Sequence, residues 1–203
     1  MRNTTEYPGQ NVRTGPRQQQ PRAHSKPVKK ALFITCTEAT LSPAGLTRIG
    51  PDRLFELRNL GNIIPKSGAN IISSDMAAIQ YALHDHNLRD IIVCGHSGCT
   101  AVSFLLDRSN TSLPLAVKRW LSTANSQAAC QKAAGAGTRK VLSRPQVDTA
   151  ARAHLAVQVA NLLQYPTVTR SRKSGGLRLH AWFYNELGQV ESLPTQDYLE
   201  SIA

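Results

Sequence analysis

Long apolar runs are missing from this sequence. Nothing approaches the roughly 18 consecutive apolar residues of a membrane span, so none is expected. The opening Met1-Arg2-Asn3-Thr4-Thr5 has no apolar stretch behind it, and a secretory leader is not expected either. Cysteine is sparse. Four in 203 residues do not make a disulfide framework, and in a reducing compartment such residues serve as metal ligands or buried thiols. A cytoplasmic protein is the expectation. Aromatic residues are only 5% of the chain, which leaves few platforms on which bases could stack. No Gly-x-Gly-x-x-Gly opens a helix, so a phosphate loop is not expected, and no internal repeat is visible.

Acidic residues are also scarce, 13 against 24 Lys and Arg, and the net charge is +11. Such a balance first suggests nucleic acid or an anionic surface. Its distribution argues otherwise. Residues 1–30 carry seven Lys or Arg against Glu6 alone, in a segment rich in Gln and Pro. That arm has too few apolar residues to offset the entropy of ordering and reads as a disordered basic tail or a partner-binding or targeting segment. Residues 31–203 read as a single domain with a sizeable core. Nucleic-acid binding is not expected, because no base-reading module accompanies the charge.

The order of elements is α/β. Ala31–Cys36 is a short apolar run and reads as an inner strand, and Leu54–Arg58 reads as a second. Residues 37–50 and 59–68 are turn-rich. A helix starts at Ser73 or Ser74, with Met76, Ile79 and Leu83 on one face, and ends near His84-Asp85-His86. Ile91–Cys94 is the next strand. Further helices are expected over Cys99–Leu106, Leu113–Ala129 and a segment capped by Asp148 and running through Gln164, with a loop at 130–146. A basic turn follows at 170–176, then strands at Leu177–Tyr184 and Val190–Leu193. Strand–helix–strand succession predicts parallel pairing, which places functional groups at the carboxyl ends of strands.

Two such ends carry soft ligands. Cys36 closes the first strand. The run Ile91-Ile92-Val93-Cys94-Gly95 leads into His96-x-x-Cys99. Thiolate and imidazole favour zinc, and two Cys with one His leave a fourth position open, as catalytic sites require. An open zinc binds water and lowers its pKa to about 7. On spacing alone, a strand-end cysteine packed in the core remains the alternative.

Several ordered segments carry a resemblance. They are Cys36, then Pro51–Asn62 (Pro-Asp-Arg-Leu-Phe-Glu-Leu-Arg-Asn-Leu-Gly-Asn), Ala78–Ala82, Ile91–Cys99, Gln158–Pro166 and Leu177–Tyr184. In order and spacing, from about residue 31 to 195, the chain resembles the β-class carbonic anhydrases. The resemblance implies a central, mainly parallel four-stranded sheet with an extra antiparallel edge strand, flanked by helices. It implies a homodimer or a multiple of dimers, and zinc held by Cys36, His96 and Cys99. The activity implied is that of a lyase hydrating carbon dioxide to bicarbonate by zinc-bound hydroxide. A small apolar substrate pocket would draw on Phe55, Leu57 and Ile63 or Ile64.

The departures from the family pattern concern catalysis. After its first Cys the family reads Cys-x-Asp-Ser-Arg, whereas this chain reads Cys36-Thr37-Glu38-Ala39-Thr40. In the family the Arg holds the Asp off the metal, and the Asp accepts a hydrogen bond from metal-bound water. Glu38 keeps the carboxylate on a longer stem, and Thr40 has no guanidinium fork. Glu38 either ligates zinc and closes the site, or accepts the hydrogen bond unaided. Arg48 and Arg53 are sequence neighbours able to replace the missing guanidinium. Two other functions stay open: a catalytically weak zinc protein retained for assembly or partner binding, and a hydrolase of another heterocumulene such as carbonyl sulfide. Cys94 and Cys130 read as thiols, His84 and His86 as a helix end, His154 as satisfied or exposed, His180 as strand packing, and His24 as part of the arm.

Overall fold

The computed structural model describes residues 28–68, 72–85, 88–107, 112–135 and 142–195. His24, His86 and residues 196–203 lie outside them. Five strands form one sheet in the order β2-β1-β3-β4-β5. They are β1 (Ala31–Cys36), β2 (Leu54–Asn59), β3 (Asp90–His96), β4 (Arg178–Tyr184) and β5 (Val190–Leu193). The first four pair in parallel and β5 closes one edge antiparallel to β4. This is the architecture the sequence predicted.

The burial patterns explain the order. Every residue of β1 is buried, as expected of a strand covered on both faces. In β3 only Asp90 is less than buried. β4 alternates, with Leu179, Ala181 and Phe183 inward. β2 lies at the edge and buries only its end residues, Leu54 and Asn59. Leu32, Phe33, Ile34, Ile91 and Phe183 are all fully buried, each contributing about 1.5–3 kcal/mol. The last residues of the basic arm join this frame: Lys30 N–H donates to the Arg53 carbonyl at 2.8 Å and Lys29 Nζ to that of Leu54 at 3.0 Å.

Seven helices complete the described residues: α1 (Pro43–Thr47), α2 (Ser74–Asp85), α3 (Thr100–Leu106), α4 (Leu115–Ser122), α5 (Gln127–Ala133), α6 (Arg144–Leu163) and α7 (Pro166–Lys173). No helix among them is long and apolar enough to cross a membrane. Several expectations are revised here. Residues 37–50 contain α1, whose N-cap Ser42 accepts from Gly45 N–H at 3.2 Å. The single helix expected over 113–129 is two. The break carries Asn125 at φ 54° and the fully buried Ser126, whose hydroxyl bonds to His154 at 2.7 Å. The loop expected at 130–146 is shortened from both ends, by α5 and by α6. Pro166 ends α6 as expected but also opens α7, because proline fits the first helical turn. The basic residues from 170 therefore lie on α7, with the turn following at Gly175.

The start of α6 needed the largest revision. Asp148 does not cap it. The helix begins four residues earlier, with Ser143 and Gln146 forming a capping box and Pro145 in the first turn. Asp148 sits one turn inside, and its carboxylate is thereby free for another task.

Candidate metal centre

Parallel pairing puts the carboxyl ends of β1 and β3 side by side, with Thr35 opposite Cys94 in register. Cys36 is the last residue of β1 and His96 the last of β3, while Cys99 caps α3. One ligand atom from each of these residues and from Glu38 lies within 4.8 Å of the others. Cys36 is fully buried, Cys99 is 2% exposed and His96 is 9% exposed.

His96 gives the clearest sign of an intended ligand. Its Nδ1 lies 3.1 Å from the Ser97 carbonyl, so Nδ1 carries the proton and Nε2 a bare lone pair. Nε2 is buried and has no partner among the described residues. A buried nitrogen in that state costs free energy unless something accepts its lone pair. The sulfurs give the same indication. The Cys99 sulfur donates to Cys36 and pulls the Cys36 thiol well below the usual thiol range, against the opposing effect of burial. The Cys99 thiol is pushed up by Cys36, by burial and by the charge on Cys36. A divalent cation beside the two sulfurs would favour the thiolate form of both. Two thiolates, a bare imidazole nitrogen and a carboxylate within reach suit zinc.

The surrounding chain fixes the ligands. Gly61 N–H donates to Cys36 Sγ at 3.2 Å, and Gly61 at φ 82° occupies a conformation that favours glycine. The Gly61 carbonyl accepts from His154 Nε2 at 2.7 Å, and Ser126 completes the chain by donating to His154 Nδ1. Burial pushes the His154 pKa down to about 4, so it stays neutral as a single tautomer. Asp148 holds the other two ligands. Its carboxylate accepts from Ser97 Oγ at 2.6 Å and from Gly98 N–H at 2.8 Å, pinning the turn between His96 and Cys99. Arg58 binds the loop after Cys36, donating to the carbonyls of Cys36, Ala39 and Leu41 at 2.9–3.4 Å.

A cleft of about 390 Å³ opens over the cluster. Glu38, Thr40, His96, Gly98, Arg144 and Glu186 are among its lining residues.

The chain matches the carbonic anhydrase family model over residues 31–189. It is 34% identical over 165 residues to a carbonic anhydrase of Pseudomonas aeruginosa, covering 81% of this chain and 73% of that one. The chain belongs to the β-class carbonic anhydrase family. Among solved structures, the β-carbonic anhydrase CcaA superposes with a TM-score of 0.71 at 32% identity, over 82% of this chain and 74% of that one. Tetrameric β-carbonic anhydrases of Sordaria macrospora share the fold, with a TM-score of 0.69 at 21% identity over 82% and 81%.

Within this family fold, the structure brings Cys36, His96, Cys99 and Glu38 together. Glu38 is exposed, and Thr100 N–H donates to its Oε2 at 3.2 Å. Thr40 lies on the cleft wall. Three residues are expected to contribute to a substrate pocket. Phe55 and Leu57 are half-buried on β2, with the Phe55 ring 6.2 Å from that of Tyr81, and Ile63 is fully buried. None of the three lines the cleft described here, nor does Arg48 or Arg53. Cys94 is buried outside the cluster, and burial pushes its thiol up to about 12. Cys130 is a buried thiol pushed up to about 11 for the same reason. His180 Nε2 bonds to Asp90 at 2.8 Å on β4, away from the cluster.

Proposed function

We propose that this chain is a zinc-dependent lyase that hydrates carbon dioxide to bicarbonate at the cluster of Cys36, His96 and Cys99. Family membership supports the reaction. The unpartnered, buried Nε2 of His96 beside two sulfurs carries the assignment of the site. Zinc held there would supply a Lewis acid able to lower the pKa of water to about 7. Glu38 is the acceptor for the proton of the reacting water. Thr100 N–H orients its carboxylate in place of the guanidinium that Thr40 does not supply. Asp148 and Gly61 hold the ligands in position, so little rearrangement would accompany metal entry.

One observation favours a second reading, a catalytically weak zinc protein kept for assembly or partner binding. A Glu38 oxygen belongs to the same 4.8 Å group as the three ligand atoms, so Glu38 can itself close the fourth position. Hydrolysis of another heterocumulene has no specific support, since the cleft wall named above is largely polar. Stopped-flow hydration of carbon dioxide by zinc-loaded protein decides between the first two. The active reading expects a rate clearly above that of Cys36→Ser, and a rate equal to that control would sink it. If Glu38 closes the site, Glu38→Asp combined with Thr40→Arg should raise activity strongly. Four free cysteines fit a reducing compartment such as the cytoplasm. A homodimer or multiple of dimers is the proposed assembly, to be read by light scattering.

A further inference from the structure

The family arginine that follows the first Cys ligand is Thr40 here, yet the cleft does contain a guanidinium. It belongs to Arg144, more than 100 residues downstream, at the first position of α6. Three observations set it apart from an ordinary surface arginine. Its backbone is fixed, because Ser143 and Gln146 form the capping box around it and Pro145 follows. It stands one helical turn before Asp148, at the i, i+4 spacing that puts both side chains on the same face. Asp148 pins the turn between His96 and Cys99, so Arg144 is directed at that turn as well.

The third observation is the glycine beneath it. A Cβ on Gly98 would lie 3.0 Å from Cζ, 3.0 Å from Nη2 and 3.1 Å from Nη1 of Arg144. Near-equal distances to three atoms of one plane mean that the guanidinium lies face-on over Gly98. Gly98 is also at φ 65°, where other residues are strained. Any side chain here would displace Arg144 from the ligand turn. Within the cleft, Arg144 Nε meets Glu186 Oε2 at 3.7 Å, with both side chains more than half exposed. Such a pair is weak and screened by solvent. Among the described residues Nη1 and Nη2 have no partner. Glu38, the carboxylate an arginine would hold in the family pattern, is already bound by Thr100 N–H.

We propose that Arg144 is the anion-binding residue of this site and takes bicarbonate through the Nη1/Nη2 edge of its fork. The proposal rests on the reaction proposed above. It also follows from charge. Two thiolates neutralise a divalent metal, and Glu38 and Glu186 then leave the cleft unfavourable to an anionic product unless a cation answers it. A guanidinium offers two parallel donors to the two oxygens of a planar carboxylate-like anion, which a single ammonium cannot match.

The test is the affinity of the cobalt-substituted protein for bicarbonate, read from the change in its visible absorption. Arg144→Gln should weaken bicarbonate about tenfold, the loss of one charge-assisted pair. Arg144→Lys should lie between, about threefold weaker, because the charge remains and the fork does not. Glu186→Gln should act in the opposite direction and tighten binding by about twofold, by removing the competing carboxylate. Metal content should be the same in all four proteins. An unchanged bicarbonate affinity in Arg144→Gln, or a wild-type spectrum that does not respond to bicarbonate, overturns the proposal. Carbon dioxide hydration measured on the zinc-loaded wild type separates the two levels. Hydration with an Arg144-independent affinity sinks the anion site alone. Arg144-dependent bicarbonate binding without hydration sinks the proposed reaction and leaves the anion site standing.

Discussion

Burial has removed His154 from the ordinary titration range of its kind. Its ring is held between Ser126 and the Gly61 carbonyl, with 2.7 Å bonds on both sides. A folded-state pKa near 4 against an ordinary 6.5 means that the unfolded chain binds the proton more tightly. This contribution to stability is therefore complete above pH 6.5 and is lost as pH falls toward 4, by about 3 kcal/mol. Denaturant melts of wild type and His154→Gln at pH 7 and pH 4.5 should show a steeper acid loss in the wild type. Equal losses would remove His154 from the account. Asp148 predicts a different readout. Asp148→Ala breaks both bonds to the Ser97–Gly98 turn, and zinc affinity measured against a chelator should drop roughly 10-fold or more, with the helix content retained.

At the scale of elements, α6 links the core to the site. Its middle is packed, with Leu155, Val159 and Leu162 fully buried, while its first turn reaches the metal-ligand loop. Leu155→Ala should cost about 2–5 kcal/mol in a urea melt, as a cavity beneath β3. Ser143→Ala removes only the cap and should cost about 1 kcal/mol. The two variants should also differ in kind, since fraying of the first turn loosens Arg144. Ser143→Ala should weaken bicarbonate binding more than its small stability loss suggests. α6 also shows how sequence reading misplaced a residue. Asp148 has the chemistry of a cap and precedes an apolar face, but Ser143 with Gln146 forms a stronger start five residues earlier, so the aspartate is free to bind a loop 50 residues away.

For the whole molecule, a metal at this cluster would add to a fold whose core lies largely apart from it. The sheet buries its apolar strands against one another and against the helices, as the fully buried β1 shows. Chelation should therefore lower the melting temperature but leave far-UV circular dichroism nearly unchanged, unlike small zinc domains that unfold without metal. Loss of the secondary-structure signal on chelation would contradict this. Charge is a second property at this scale. Much of the net +11 lies in residues 1–30. Removing residues 1–27 should leave zinc content and hydration rate unaltered.

Much of this protein can be read from its sequence because the signals are local. Apolar runs of strand length, a helix between them and ligands at strand ends depend on neighbours a few residues apart. They give the α/β order, the parallel pairing and two strand ends carrying soft ligands, and the resemblance to the family joins Cys36, His96 and Cys99 into one site. The Glu38 and Thr40 departures stand out only against the family pattern. What surrounds the triad was not legible, because each contact joins segments far apart in the chain. Gly61 reaches Cys36 across 25 residues, Asp148 reaches Gly98 across 50, and His154 reaches Gly61 across 93. Nothing near Arg144 in sequence suggests a site, while Arg48 and Arg53 are near Cys36 in sequence and do not line the cleft. Local chemistry chose the ligands. The packing of α6 against β3 determined which distant side chains hold them, and which guanidinium faces the cleft.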